Sequence, residues 1–266
     1  MPTPFYNLSV AGELLEQAHL SDQVRFLLEA QCGDFLFGNT APDVQVISQQ
    51  PRQETHFFDL PLRSNALPPW EGLLRAYPRL ADVSQLPPSQ AAFIAGYLCH
   101  LQADWLWVRD IFVPVFGLRS AWGSFPQRLY LHNVLRAYLD REILPSLTNG
   151  VCTSLAEARP GAWLPFVLEQ HLTQWRDFLV SQIQPQASVQ TVEVFAARQG
   201  IPPSEFYRLL DSEEAMEREV FARIPRQALA YYRRVLVDEN IKLLQDYLAP
   251  ATMFPKVVHS IGDLSL

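Results

Sequence analysis

The sequence predicts an all-α fold, a multi-helix bundle, on three observations. Proline outnumbers glycine, 21 to 11, a balance that suits helices opened and closed by rigid turns more than sheets joined by glycine hairpins. Apolar residues recur at helical spacing through most of the chain, whereas alternation of period two occurs only at Ser188 to Val194, a weak candidate for a strand. Hydrophobic residues make up 48% of the 266 positions, enough to bury a sizeable core without an internal repeat or a coiled-coil heptad run.

Taken in order, Leu8 to Ala30 reads as one or two helices, with Ser21 and Asp22 as a new N-terminal cap and Val24, Leu27 and Leu28 as the apolar stripe behind it. His19 then stands at a helix end. From Gly33 to Asn65 the periodicity disappears, and this stretch is expected to be a long loop packed by Phe35, Phe37, Phe57 and Phe58, lining a site. Pro87-Pro88-Ser89 opens a helix running to about Val108, and Pro114 with Gly117 closes whatever follows. On it Ala92 and Gly96 precede His100 at four-residue steps, a face of very small side chains that lets neighbouring backbone approach. Arg128 to Leu144 forms the next helix, with Leu131, Leu135 and Leu139 on one side and His132, Arg136 and Asp140 on another. Trp163 to Ile183, Pro203 to Phe221 and Pro225 to Leu248 read as amphipathic helices. The expected organisation is a metal-binding helical unit over residues 1–150 and a C-terminal helical region over 151–266 that is packed against it, within one domain if Asn149-Gly150 is only a loop.

The formal charge of −7 and the lack of a basic run argue against double-stranded nucleic acid as a partner. Cys32, Cys99 and Cys152 are too scattered for a disulfide framework and suit a reducing compartment, so a cytoplasmic location is expected. The N-terminus has no basic segment before an apolar core, as a secretory signal would, and no apolar run approaches the roughly 20 residues of a transmembrane segment. The sequence assigns no oligomeric state.

His100 and Asp104 lie four residues apart inside the most apolar stretch, a spacing that aims both at one point on a helix. Burying an unpaired carboxylate costs on the order of several kcal/mol, so something compensates it, and a metal ion is the leading candidate. Imidazole nitrogen with carboxylate oxygen suits zinc better than calcium or magnesium. The bland alternatives are a hydrogen-bonded pair for His100 and Asp104, a turn cap after Pro42 for Asp43, a solvent-facing loop residue for His56 and a helix-dipole partner for His19.

Phe37-Gly-Asn-Thr-Ala-Pro-Asp43, Thr55-His56-Phe and Gly96-Tyr-Leu-Cys-His100-Leu-Gln-Ala-Asp104-Trp, with His19 upstream, occur in an order that resembles the zinc-dependent phospholipase C family, related in plan to the zinc nucleases of single strands. The resemblance covers about residues 5 to 140. It implies a bundle of that type and a cluster of one to three zinc ions. Asp43, His56, His100 and Asp104 match the ligands of one zinc, and Asp104 would bridge to a second that His19 also holds. It further implies a zinc-activated water attacking a phosphodiester or phospholipid, with Asp43 doubling as general base. The chain departs from the family pattern downstream. His132-Asn-Val-Leu-Arg136 carries arginine where a ligand carboxylate belongs, and Asp110 stands where a histidine belongs. The free N-terminal amine that serves processed members is not expected here, though Asn7 offers an oxygen nearby.

Two functions therefore compete: a metal-dependent phosphoric-ester hydrolase, and a non-catalytic relative that keeps one structural or ligand-binding zinc. His132, Arg136 and Asp140 are read as a charge and hydrogen-bond ladder within one helix, His171 as a core histidine, His259 as without a role, and Arg52 as a solvated loop residue, the alternative being a phosphate contact.

Overall fold

The structure is a computed structural model that describes residues 1–62, 66–147, 150–184 and 189–249. Thr3 opens α1 (Pro4–Glu16): its hydroxyl accepts the Tyr6 amide, and Pro4 supplies the first helical position, where no amide is needed. Ser21 opens α2 (Asp22–Ala30) in the same way, accepting from the Val24 amide at 3.4 Å. His19 lies in the turn between these helices with its side chain exposed.

The stretch expected as a long loop is instead a string of short helices. These are α3 (Cys32–Gly38), a 3-10 turn at Ala41–Val44, α4 (Gln45–Ser48) and α5 (Arg52–His56). Each has at most two turns, too few for an apolar stripe to repeat, so periodicity could not reveal them. A further helix, α6 (Pro69–Ala76), follows.

The axis of the molecule is α7 (Pro88–Trp107). Nearly every residue from Ala91 to Trp107 is buried, as expected of a helix that is apolar all round. It runs into a π-helical segment, Val108–Phe116, that contains Pro114. Ser124 caps α8 (Phe125–Ile143). Then come α9 (Gly150–Glu157), which packs on α3, α10 (Glu169–Ile183) and α11 (Thr191–Gln199). The described part of the weak strand candidate leads into α11, and there is no strand among the described residues. Gly200, at φ 66°, ends α11 in the left-handed conformation that glycine adopts without steric cost.

Two expected helices are shorter than predicted. Trp163 to Leu168 stays outside α10, because Pro165 has no amide for a helix there. Pro203 to Phe221 divides into α12 (Pro203–Leu210), α13 (Glu213–Met216) and a π turn at Glu217–Phe221, since the Ser212 hydroxyl starts a fresh helix by accepting the Ala215 amide at 3.2 Å. The last helix, α14 (Arg226–Leu248), lies along α7 and α1. One continuous core joins Phe5, Phe35 and Trp107 to Leu172, Leu236 and Leu244. No described helix is long and apolar enough to cross a membrane.

Candidate metal centre

The site begins with two glycines. Where α3 crosses α7, a Cβ on Gly38 would strike the Phe93 carbonyl, and one on Gly96 would strike the Phe35 carbonyl and lie 2.8 Å from the Asn39 amide nitrogen. The small face in front of His100 thus admits the backbone of α3. That approach puts the Asn39 carbonyl 2.8 Å from His100 Nδ1. A carbonyl only accepts, so Nδ1 carries a proton, and in the neutral ring Nε2 keeps its lone pair. The carboxamide nitrogen of Asn7, from α1, lies 3.0 Å from the same Nδ1, and its Oδ1 is buried without a partner.

His56 is fixed by a parallel device. The Thr55 hydroxyl donates to the Arg52 carbonyl at 3.2 Å, leaving its oxygen to accept from His56 Nδ1 at 2.9 Å. Nε2 is again the bare nitrogen. Phe57, next in the chain, sits at φ 59°, a left-handed conformation that costs a bulky residue about 1 kcal/mol or more. Its ring is wedged edge-on against Phe166 at 5.3 Å and Tyr77 at 6.2 Å, contacts that hold the turn and so the aim of His56.

Both imidazoles are fully buried, their ring centres 5.4 Å apart. His56 Nε2 lies 3.6 Å from Asp43 Oδ1 and 3.4 Å from Asp104 Oδ2, and His100 Nε2 lies 3.9 Å from Asp104 Oδ2. Among the described residues neither Nε2 has a hydrogen-bond partner, nor does Asp104 Oδ1. Lone pairs therefore face carboxylate oxygens across a gap that no proton fills. Donor atoms of Asp43, His56 and His100 all lie within 4.8 Å of one another, a group that can hold a metal ion. The donor chemistry fits: neutral imidazoles backed by hydrogen-bond acceptors, and an anion.

Charge at the site follows from burial and from Arg52. Burial by itself would raise the Asp43 carboxyl, but the neighbouring His56, His100 and Arg52 side chains hold it below the usual carboxylate range. Burial and then Arg52 push the His56 imidazole down to about 4, against the opposing pull of Asp43 and Asp104. An ionised Asp43 and a neutral His56 are the forms that ligate a cation. Arg52 reaches Asp104 Oδ2 at 2.5 Å while its guanidinium lies over the Phe58 ring at 4.5 Å.

No family model, curated protein or solved structure matches the chain. The geometry alone therefore speaks for the site. It brings Asp43, His56, His100 and Asp104 together and leaves His19 out, exposed in the turn after α1 with its backbone carbonyl accepting from Gln245 at 2.8 Å. Of the Asp104 carboxylate expected to bridge toward a second metal, Oδ2, the oxygen facing both histidines, is paired with Arg52, and Oδ1 has no hydrogen-bond partner among the described residues. Asp110 is exposed and paired with Arg109.

The ladder expected on α8 is not formed. His132 Nε2 accepts from the Trp107 indole at 2.9 Å, Arg136 donates to Asn133 Oδ1 at 3.1 Å, and Asp140 accepts from the hydroxyls of Thr3 and Thr191. Two of the three therefore turn to other elements. His171 is only half-buried near the start of α10, where the chain has barely entered the bundle, and is not a core residue. His259 lies outside the described residues. Arg52, expected as a solvated loop residue or a phosphate contact, is instead paired with Asp104, and its four-residue distance from His56 places both on one face of α5. The Asn39 carbonyl carries no side-chain signal at all.

Proposed function

We propose that this chain is a metal-dependent phosphoric-ester hydrolase of the zinc-dependent phospholipase C type, with Asp43, His56 and His100 as ligands of one zinc and Asp104 beside them. The observation that carries the reading is the pair of buried, deprotonated Nε2 atoms that meet carboxylate oxygens with nothing between. A cation relieves that repulsion, and the nitrogen and oxygen donors favour zinc. Three protein ligands leave a coordination position free, as catalytic zinc requires. The group is most open to solvent at Asp43, whose side chain is 20% exposed while both histidines are sealed. Zinc supplies Lewis acidity toward a phosphoryl oxygen and brings a water toward ionisation near neutral pH. The chain's own part is to hold both imidazoles in one tautomer, to keep Asp43 ionised as proton acceptor, and to set the Arg52 cation against the charge of the ester.

The second reading, one zinc held without catalysis, draws support from the Arg52–Asp104 pair, which occupies the carboxylate that a two-metal site would share. Metal content per chain, measured together with hydrolysis of bis(p-nitrophenyl) phosphate before and after chelation, separates the readings. The expected result is about one zinc per chain and turnover that chelation abolishes. Protein purified without chelator and free of metal sinks both; one tightly held metal without turnover selects the second. His100→Ala is expected to lose metal and turnover together, and full occupancy in that variant would contradict the ligand assignment.

A further inference from the structure

Beside Asp43 a cleft opens between α1, α8, α10 and α11, with a half-open space of about 90 Å3. Phe5, Trp175, Phe178, Leu179, Val194 and Phe195 make its apolar wall. Arg136 lines the same space. Its guanidinium is stacked over the Phe195 ring at 4.3 Å and tethered to Asn133 at 3.1 Å, and its Nε is buried with no hydrogen-bond partner. A desolvated guanidinium with a spare N–H is a ready hydrogen-bond donor to an anion. Asp43, which belongs both to the candidate metal group and to the cleft lining, joins the two spaces.

We infer that this cleft binds the organic group of an anionic phosphoric ester, that Arg136 donates to the phosphoryl oxygen, and that the group is phenyl-sized rather than a long acyl chain. This deepens the hydrolase reading and rests on it for the word ester. Two physical facts select the occupant. A cavity of about 150 Å3 lined by apolar side chains takes one benzene ring, so a half-open space of about 90 Å3 takes at most one ring, part of it in the mouth, and has no room for a second ring or a long chain. An aromatic wall with a cation at one end matches a ring that carries a charged substituent, since the ring desolvates the wall while the charge stays on the guanidinium. Arg136 thereby provides positive charge at a position where the resembling family would place a metal-ligand carboxylate.

The test is calorimetric titration of the zinc-loaded full chain, and of chelator-treated chain, with phenylphosphonate, methylphosphonate and dodecylphosphonate, none of which carries an ester to hydrolyse. Phenylphosphonate is expected to bind at least tenfold tighter than methylphosphonate, and dodecylphosphonate no tighter than phenylphosphonate. Val194→Trp, which fills the cleft, is expected to reduce the phenyl preference below twofold with methylphosphonate affinity unchanged. Arg136→Gln is expected to weaken both ligands at least tenfold. Equal affinity of the unmodified protein for the phenyl and methyl compounds overturns the proposal even if neither variant folds, as does a tenfold preference for the dodecyl chain. The phenyl preference uses no metal and is expected to persist after chelation. Its loss in a metal-binding protein refutes the cleft alone, whereas its persistence in a chain that binds no metal refutes the hydrolase alone.

Discussion

Asp140 ties three segments together, accepting from Thr3 before α1 and, at 2.6 Å, from Thr191 at the start of α11. Burial pushes its carboxyl up to about 7, with the two hydroxyls and Arg136 opposing. The folded chain therefore keeps a proton that the unfolded chain, at an ordinary 3.8, has already lost. That contribution is fully present below about pH 4 and is lost as pH rises through 7. His56 runs the other way: its folded value of about 4 lies below the ordinary 6.5, so its contribution is full above 6.5 and is lost as pH falls through 4. Asp140→Asn removes only the first effect. In urea unfolding its stability relative to the parent is expected to grow by on the order of 2 kcal/mol between pH 5 and pH 8, and a difference constant across that range would contradict the assignment. None of this was legible in the spacing of His132, Arg136 and Asp140, which suggested partners along one helix. The partners of Asp140 are 137 and 51 residues away. His100 and Asp104 were legible because a polar pair in the most apolar segment needs a reason wherever the chain goes.

At the scale of elements, the crossing of α3 and α7 decides whether His100 is aimed. Gly96→Ala places a methyl group against the backbone of α3. It is expected to cost about 1–3 kcal/mol, the usual penalty of overpacking, and to weaken zinc affinity as the Asn39 carbonyl moves from Nδ1. Gly12, inside α1, has nothing within 4 Å of an added Cβ. Gly12→Ala is expected to stabilise the chain by about 0.5–1 kcal/mol through helix propensity and to leave metal affinity unchanged. Denaturant midpoints and zinc competition assays on the pair check both statements; equal effects of the two substitutions would refute the close-approach argument. The long helices were legible in the sequence because apolar spacing, Ser124 and the prolines mark them. The helices between residues 32 and 56 were not, since four to seven residues cannot display a period. Pro165 and Ser212 were visible as residues, but their power to interrupt a helix depended on what packed beside them.

For the whole molecule, a metal held as proposed by α5, α7 and the turn at Ala41–Val44 would bind the folded chain alone and stabilise it by mass action. At a free zinc concentration a thousandfold above its dissociation constant the gain is about 4 kcal/mol, which for a chain of this size raises Tm by on the order of 10 °C. Scanning calorimetry with and without chelator reads this directly, and an unchanged Tm despite bound zinc would place the ion away from the core. The fold class was legible from composition and periodicity, and the grouping of Asp43, His56, His100 and Asp104 was an expectation from motif order. The dependence of that group on the C-terminal half was not, because it runs through backbone carbonyls. The Trp175 indole on α10 donates to the Thr40 carbonyl at 2.9 Å, and the Tyr232 hydroxyl on α14 donates to the Ala103 carbonyl at 2.9 Å. During synthesis, then, every proposed ligand has been translated by residue 104, while Trp175 and Tyr232, two of its supports, have not. Metal capture of the proposed kind would belong to a late stage of the chain's making.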